Sequence, residues 1–334
     1  MSEFRTIIIS RTDSIGDVVL TLPLAHVLKK KIPGCKIIFL GKKYTKPVLE
    51  CCRNIDEILC WDEMENFLPG KQTESFTSLK ADCLIHVFPN RKVASLAKKA
   101  GIPLRIGTSH RLFHWLTCNK LPNFTRKNSE LHEAQLNFKL LEPLGISTIP
   151  EIDEMKDQFD LGNTQPLSSD LLSLIDKGKI NLILHPGSRG SAVDWNLRNF
   201  SELIRILPSD KFKIFLTGTE NEHAQIQSLL LKDSAATDLS GKLSLAELIS
   251  FIRHCDALVA ASTGPLHLAA VLGKLAIGLY PSVRPLHPGR WAPIGKKVKV
   301  LVAQKHCSNC GKGTFCDCLS SIQPQEVADV LSGI

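Results

Sequence analysis

The sequence predicts an α/β protein built from two doubly wound parallel sheets, and three observations predict it. Short β-branched or apolar runs alternate with stretches of helical period, the signature of βαβ units and of a sheet buried on both faces. The alternation fills the first half of the chain, breaks off over residues 151–179 and then restarts. With 334 residues the chain has room for about two domains of roughly 150 residues each.

In the first half the expected strands are Thr6 to Ser10, Lys36 to Leu40, Asp82 to Val87 and Leu104 to Ile106. Between the last two, Arg91 to Ala100 places Val93, Leu96 and Ala97 on one face and so reads as an amphipathic helix. The break contains Gly162-Asn163-Thr164-Gln165-Pro166-Leu167-Ser168-Ser169, residues that favour turns, and the boundary is expected within 160–178. The domains are then 1–165 and 175–334, with the last helix free to return to the first. In the second half strands are expected at Ile180 to Leu184, Lys213 to Leu216, Ala257 to Ala260, Ala276 to Leu279 and Val298 to Val302. Helices are expected near 199–207, 220–231, 245–254 and 266–272. Open parallel sheets bind ligands beyond the carboxyl ends of their strands, so the chemistry belongs in the loops that follow strands, in a cleft that the two sheets face.

Composition narrows the classes. Forty-one Lys and Arg against 33 Asp and Glu leave a net charge of +8, and 43% hydrophobic with 22% charged residues describes an ordinary globular protein. Disordered and fibrous architectures are excluded, and the positive balance favours anionic partners such as nucleotides, phosphorylated glycolipids or nucleic acid without choosing among them. Eleven cysteines are too sparse for a disulfide scaffold and point to a reducing compartment. The apolar run Thr6 to Ser10 is too short for a signal peptide, and Ala257 to Tyr280 is interrupted by Pro265, His267 and Lys274, so no bilayer span is expected. A cytoplasmic protein follows.

Three loops could carry chemistry. Arg11-Thr12-Asp13-Ser14-Ile15-Gly16-Asp17 follows the first strand, where Gly16 lets a ligand approach the backbone and a helix start offers N–H groups to an anion. The alternative is that Asp13 or Asp17 merely caps that helix. It is not a dinucleotide fingerprint, because the second and third glycines are missing. His185-Pro186-Gly187-Ser188-Arg189-Gly190-Ser191 follows the first strand of the second half and suits a phosphate, with Arg189 as a bidentate cation; a surface turn is the alternative. Ser262-Thr263-Gly264-Pro265-Leu266-His267 sets a hydroxyl and bare N–H groups at another helix start, with His267 one turn in.

Ser14-Ile15-Gly16-Asp17, His185-Pro186-Gly187-Ser188 with Trp195 downstream, and Ser262-Thr263-Gly264-Pro265-Leu266-His267-Leu268-Ala269-Ala270 together resemble the bacterial ADP-heptose:lipopolysaccharide heptosyltransferases of glycosyltransferase family 9, in order and over nearly the whole chain. The resemblance implies a GT-B fold, an acceptor-binding N-terminal domain, a C-terminal domain for the nucleotide sugar, and inverting transfer without a metal or other cofactor. It implies ADP-heptose as donor, an anionic lipid A-type glycolipid as acceptor, and a cytoplasmic enzyme peripheral to the inner face of the inner membrane. Asp17 becomes the general base, which suits a poor nucleophile such as a sugar hydroxyl. Gly187, Ser188, Arg189, Ser262, Thr263, Gly264 and His267 surround the diphosphate, Glu220 holds the ribose and Leu243 lies by the base. Two positions depart from the family. A Lys usual before Trp195 is absent from Ser191-Ala192-Val193-Asp194, and Ser262 stands where the best-known members have Asp. Arg189 is the natural substitute for the missing charge.

From Arg105 to His132, basic residues alternate with Phe113, Trp115 and Phe124. With Gly16, Arg105, Arg111 and Arg126 are the candidate acceptor contacts; an anionic membrane surface is a second partner for this segment, and a solvated basic loop is the alternative. No nucleic-acid-binding motif is present. Cys307, Cys310, Cys316 and Cys318 have a spacing that departs from structural zinc patterns, and no metal is assigned to them. Two other function classes fit the same architecture: a nucleotide-sugar epimerase, which needs no acceptor, and a non-catalytic nucleotide-binding homologue.

Overall fold

A computed structural model describes residues 4–127, 129–188, 190, 192–227, 236–304 and 318–334. Arg189, with Cys307, Cys310 and Cys316, lies outside the described residues. The chain divides into two units, Met1–Asn163 and Thr164–Ile334.

The first unit holds β1 (Thr6–Ser10), β2 (Lys36–Gly41), β3 (Glu57–Cys60), β4 (Cys83–His86) and β5 (Leu104–Ile106) in the order β3-β2-β1-β4-β5, every pair parallel. Side chains alternate across a strand, so Ile8 faces a layer with Ile38, Leu40, Trp61, Phe76 and Leu84 while Ile7 and Ile9 face the other side. All three isoleucines are fully buried, as a central parallel strand requires. The helix Arg91–Lys99 starts at Asn90, whose side chain accepts from the backbone N–H groups of Lys92 and Val93, and it buries Val93, Leu96 and Ala97 on this layer.

The second unit holds β6 (Ile180–His185), β7 (Phe212–Leu216), β8 (Thr237–Asp238), β9 (Ala257–Ala261), β10 (Leu275–Tyr280) and β11 (Val298–Val302) in the order β11-β10-β9-β6-β7-β8, again all parallel. The two sheets of the expected fold class are therefore present, and each reverses its strand order once. The reversal lies between β1 and β4 in one and between β6 and β9 in the other. The C-terminal helix Pro324–Leu331 packs Val327, Ala328 and Leu331 into the second unit's own core, beside Trp195, Phe200 and Leu203.

Some details differ from expectation. β3 and β8 have no counterpart in the sequence reading, being four and two residues long. The helix expected over 220–231 begins as a 3₁₀ turn, Glu220–Glu222, continues as His223–Gln227, and lies outside the described residues from 228 on. The break over 151–179 contains two short helices, Ile152–Met155 and Ser169–Ser173.

Trp195 is completely buried, donates its indole N–H to the carbonyl of Ile322 (3.0 Å) and meets the Phe200 ring edge-on at 4.8 Å. Trp195→Ala removes the largest side chain of this core, and unfolding of the variant in urea should show a loss of about 3–5 kcal/mol. A loss below about 1 kcal/mol would mean that the C-terminal helix does not depend on this contact.

Candidate active site

Ligands of an open parallel sheet sit where the strand order reverses, because the loops leaving the two central strands there diverge and open a crevice. In the first sheet those loops leave β1 and β4, and the loop after β1 is 11–14, leading into the helix that carries Asp17. In the second they leave β6 and β9, and they open with 186–188 and 262–263. All three sequence motifs thus flank a reversal point.

After β1 the chain enters the short helix Ile15–Val19, whose N-cap is Ser14; no side-chain cap is made there. The Asp17 carboxylate is engaged instead by the Arg11 guanidinium, which also binds Asp13 (2.7 Å) and Glu133 (3.3 Å). Arg126 binds the same Glu133 oxygen and donates to the side chain of Asn137 (3.1 Å) and the carbonyl of Val87 (3.3 Å). Asn137 holds the carbonyl of Leu20 (3.2 Å), Thr21 donates to the carbonyl of Asp17 (2.8 Å), and Tyr44 donates to that of Asp13 (2.6 Å). Three carboxylates and two guanidiniums are gathered here, a net charge of −1 when all are ionised. Arg11 and Glu133 are buried, while the side chains of Asp13 and Asp17 keep 19% exposure.

This charge balance sets the titration. Burial raises the Asp13 carboxyl to about 6 against the pull of Arg11, with Asp17 adding to the rise. Burial raises Asp17 as well, opposed by Arg11 and reinforced by Glu133. For Arg11 burial works to lower the value, yet the three surrounding carboxylates hold the guanidinium well above its ordinary range. Asp17 is therefore a fixed, partly exposed carboxylate of increased basicity, which is what proton abstraction from a hydroxyl needs.

Two of the proposed acceptor contacts already have protein partners. Arg105 donates to the carbonyls of Thr117 (2.7 Å) and Ile102, which ties down the stretch around β5. Arg126 serves the Glu133 cluster and stacks over Phe124 (5.6 Å). Both guanidiniums are spent on the protein itself, whereas Arg111 is exposed and Gly16 lies within the Asp17 helix.

In the second unit, His185 at the end of β6 shares a hydrogen bond with the Thr217 hydroxyl (3.0 Å), and burial lowers its imidazole to about 4. The next residues turn tightly over Glu222: a Cβ at Gly187 would meet that carboxylate, so a larger residue there displaces the Glu222 side chain. Glu222 accepts from the N–H and hydroxyl of Thr219 (2.8 Å each), closing a capping box. Ser188 donates to the carbonyl of Ala192 (3.0 Å) and hydrogen-bonds Asp194, whose carboxyl burial raises. After β9, Thr263 is the N-cap of the helix Gly264–Val271 and makes no cap bond; its hydroxyl is buried and has no hydrogen-bond partner among the described residues. Ser262 hydrogen-bonds Tyr280, whose own hydroxyl donates to the carbonyl of Trp291 (2.7 Å). His267 is buried one turn into the helix. Glu220 is exposed with its backbone against Gly241, and Leu243 is half-buried.

A family model described as glycosyltransferase family 9 (heptosyltransferase) matches residues 73–316. The chain belongs to glycosyltransferase family 9. A glycosyltransferase of this family is accordingly what the two units build. Among its relatives, a *Haemophilus influenzae* chain whose name gives it no more than glycosyltransferase activity is 26% identical over 313 residues, covering 91% of this chain and 88% of that one. Lipopolysaccharide heptosyltransferase 3 of *Escherichia coli* K12 is 24% identical over 279 residues and 79% of each chain. The solved structure of *E. coli* ADP-heptose lps heptosyltransferase II matches this family 9 chain with a TM-score of 0.73 at 20% identity, over 98% of both. Arg11, Glu133 and Glu222 were absent from the sequence-based site. Glu133 stands 122 positions from Arg11 and carries no local signal, whereas the Thr219-to-Glu222 spacing of a capping box was readable.

Proposed function

We propose that this enzyme transfers a heptose from ADP-heptose to the core of a lipopolysaccharide-type glycolipid, with inversion and with Asp17 as general base. The observation that carries the reading is the Asp17 carboxylate itself, held by Arg11 at the reversal point of the first sheet and made more basic by burial. The names of the relatives support heptose and a lipopolysaccharide acceptor, and a family 9 chain of solved structure named for ADP-heptose supports the donor.

Asp17 takes the proton from an acceptor hydroxyl, whose oxygen forms a bond to the anomeric carbon from the face opposite the leaving group. The bond from that carbon to the diphosphate oxygen breaks, and its electron pair leaves with ADP. The growing charge on the diphosphate needs donors already in place. The Thr263 hydroxyl and the N–H groups opening the helix Gly264–Val271 are such donors. Ser188 and Arg189 are assigned to the same diphosphate, Glu220 to the ribose and Leu243 to the base. The Glu222 and Asp194 carboxylates border the loop after β6, so a phosphate there needs a compensating cation, the role assigned to Arg189 from the sequence.

The test is transfer from ADP-heptose to a purified heptose-deficient core glycolipid, read as a gain of one heptose in the mass of the acceptor. Transfer from a UDP- or GDP-sugar in its place would overturn the donor, and release of an altered free sugar without acceptor would overturn transfer. Thr263→Val deletes one phosphate donor while keeping shape, so calorimetry should show ADP binding weakened about tenfold or more. Unchanged affinity would move the diphosphate away from this helix.

A further inference from the structure

We infer that the helix Leu112–Thr117 is a docking surface for an anionic phospholipid bilayer, entered by Leu112, Trp115 and Leu116. The proposal goes beyond the transfer reaction and is independent of which sugar is transferred. These three side chains, spaced i, i+3 and i+4, share one face of the helix and are 89%, 63% and 74% exposed. A contiguous apolar patch on a soluble surface marks an interaction site. The opposite side of the helix is anchored: His114 is fully buried, bonds the carbonyl of Thr108 (2.9 Å) and meets the Phe113 ring edge-on at 4.5 Å. The apolar face is thus held outward by packing beneath it.

Three features choose a bilayer as the occupant. From Cys83 to Ser129 the sequence has nine Lys and Arg and no Asp or Glu, which exceeds the +8 of the whole chain. Lys92 is paired with Glu65 (2.6 Å), and Arg105 and Arg126 are committed as described; Arg91, Lys98, Lys99, Arg111, Lys120 and Lys127 are exposed, and Arg111 and Lys120 flank the patch in the chain. Lys98, next to Lys99, donates to the carbonyl of Leu116 (2.8 Å), so the end of one helix brings its cations to the other. Trp115 donates its indole N–H to the carbonyl of Ser109 (2.9 Å), which leaves the exposed part of the ring apolar and suited to the interfacial zone where tryptophan concentrates. A six-residue helix cannot cross a bilayer; it lies in the headgroup region with its apolar face down, while each nearby cation adds about fivefold to binding of an anionic surface.

Flotation with vesicles of phosphatidylcholine alone, and of phosphatidylcholine mixed with phosphatidylglycerol, tests the proposal on the intact chain. The expected result is partitioning onto the mixed vesicles only, weakened by salt, with a blue shift in emission that Trp115→Phe abolishes. Leu112→Ser/Leu116→Ser should lower partitioning about tenfold or more, and Lys99→Glu/Lys120→Glu should lower it and flatten its salt dependence. All four positions are exposed, so unfolding midpoints serve as a control and should not move. Absence of partitioning, or equal partitioning of the variants, would overturn the proposal. So would partitioning that requires the glycolipid acceptor in the vesicle, or self-association that the apolar variant abolishes while vesicle binding persists.

Discussion

Asp17→Asn should lower kcat by about 10² to 10⁴ while leaving the affinity for ADP nearly unchanged. The substitution keeps the size of the side chain and its contact with Arg11, so what it removes is the capacity to accept a proton. Since ADP is assigned to the second unit and Asp17 stands in the first, the two readouts separate chemistry from donor binding. Retained turnover would remove Asp17 as the base and throw attention onto Asp13. The pH dependence follows from the same site. A base works ionised, and burial keeps the Asp17 carboxyl protonated to higher pH than an ordinary carboxylate. kcat/KM should therefore fall on the acid side at a higher pH than an ordinary carboxylate base would give. Glu133→Gln removes a carboxylate that raises Asp17, and the acid limb should move to lower pH. An upward shift would mean that Glu133 acts on Asp17 mainly by orienting Arg11.

Arg11→Met should cost about 3–5 kcal/mol of stability, read by urea unfolding at neutral pH. Arg11 is 4% exposed and is the one cation that touches Asp13, Asp17 and Glu133 among the described residues. Its loss leaves three carboxylates around a buried apolar chain. The sign of the pH effect is fixed by linkage: without the cation the folded-state values of Asp13 and Asp17 rise further above their unfolded values. A raised carboxyl favours the fold at low pH and loses that contribution as pH rises through the folded value, which for Asp13 is already about 6 in the intact protein. The variant should therefore be least impaired near pH 4 to 5, within about a unit of an ordinary carboxylate's value, and most impaired above about 6. An equal deficit at both would mean that Arg11 contributes packing rather than charge.

Much of the architecture was legible because short runs dominated by β-branched and aliphatic residues alternate with helical periods. Thr6–Ser10, Leu104–Ile106 and Val298–Val302 are strands with the expected ends, and Leu245–His254 is a helix with the expected ends. Glu57–Cys60 escaped because Ile58 and Leu59 alone do not distinguish a strand from a turn of helix. The helix after Thr263 begins earlier than expected because Pro265 fits a first turn that needs no N–H from it. At the site, the loops were visible from glycine and strand position, but the electrostatics were not. Nothing near Asp17 announces Glu133 or Arg126, which arrive from a distant helix and loop. A chain of single residues shows which groups exist; the low dielectric that they share appears only when the fold closes around them. The exposed helix makes the same point in reverse. Leu112, Trp115 and Leu116 have the spacing of a buried stripe, and only their surroundings show that they point outward.

Each sheet places its variable chemistry on the loops that leave one edge, while the strands themselves are saturated with interlocking aliphatic side chains. The two parts can consequently drift at different speeds. On the proposed assignment, a change of Ser262 would alter the donor site without asking Leu182, Leu184 or Val259 to repack. Such a scaffold can inherit a new sugar in a few substitutions, and its lineage can diversify in ligand long before it diverges in shape.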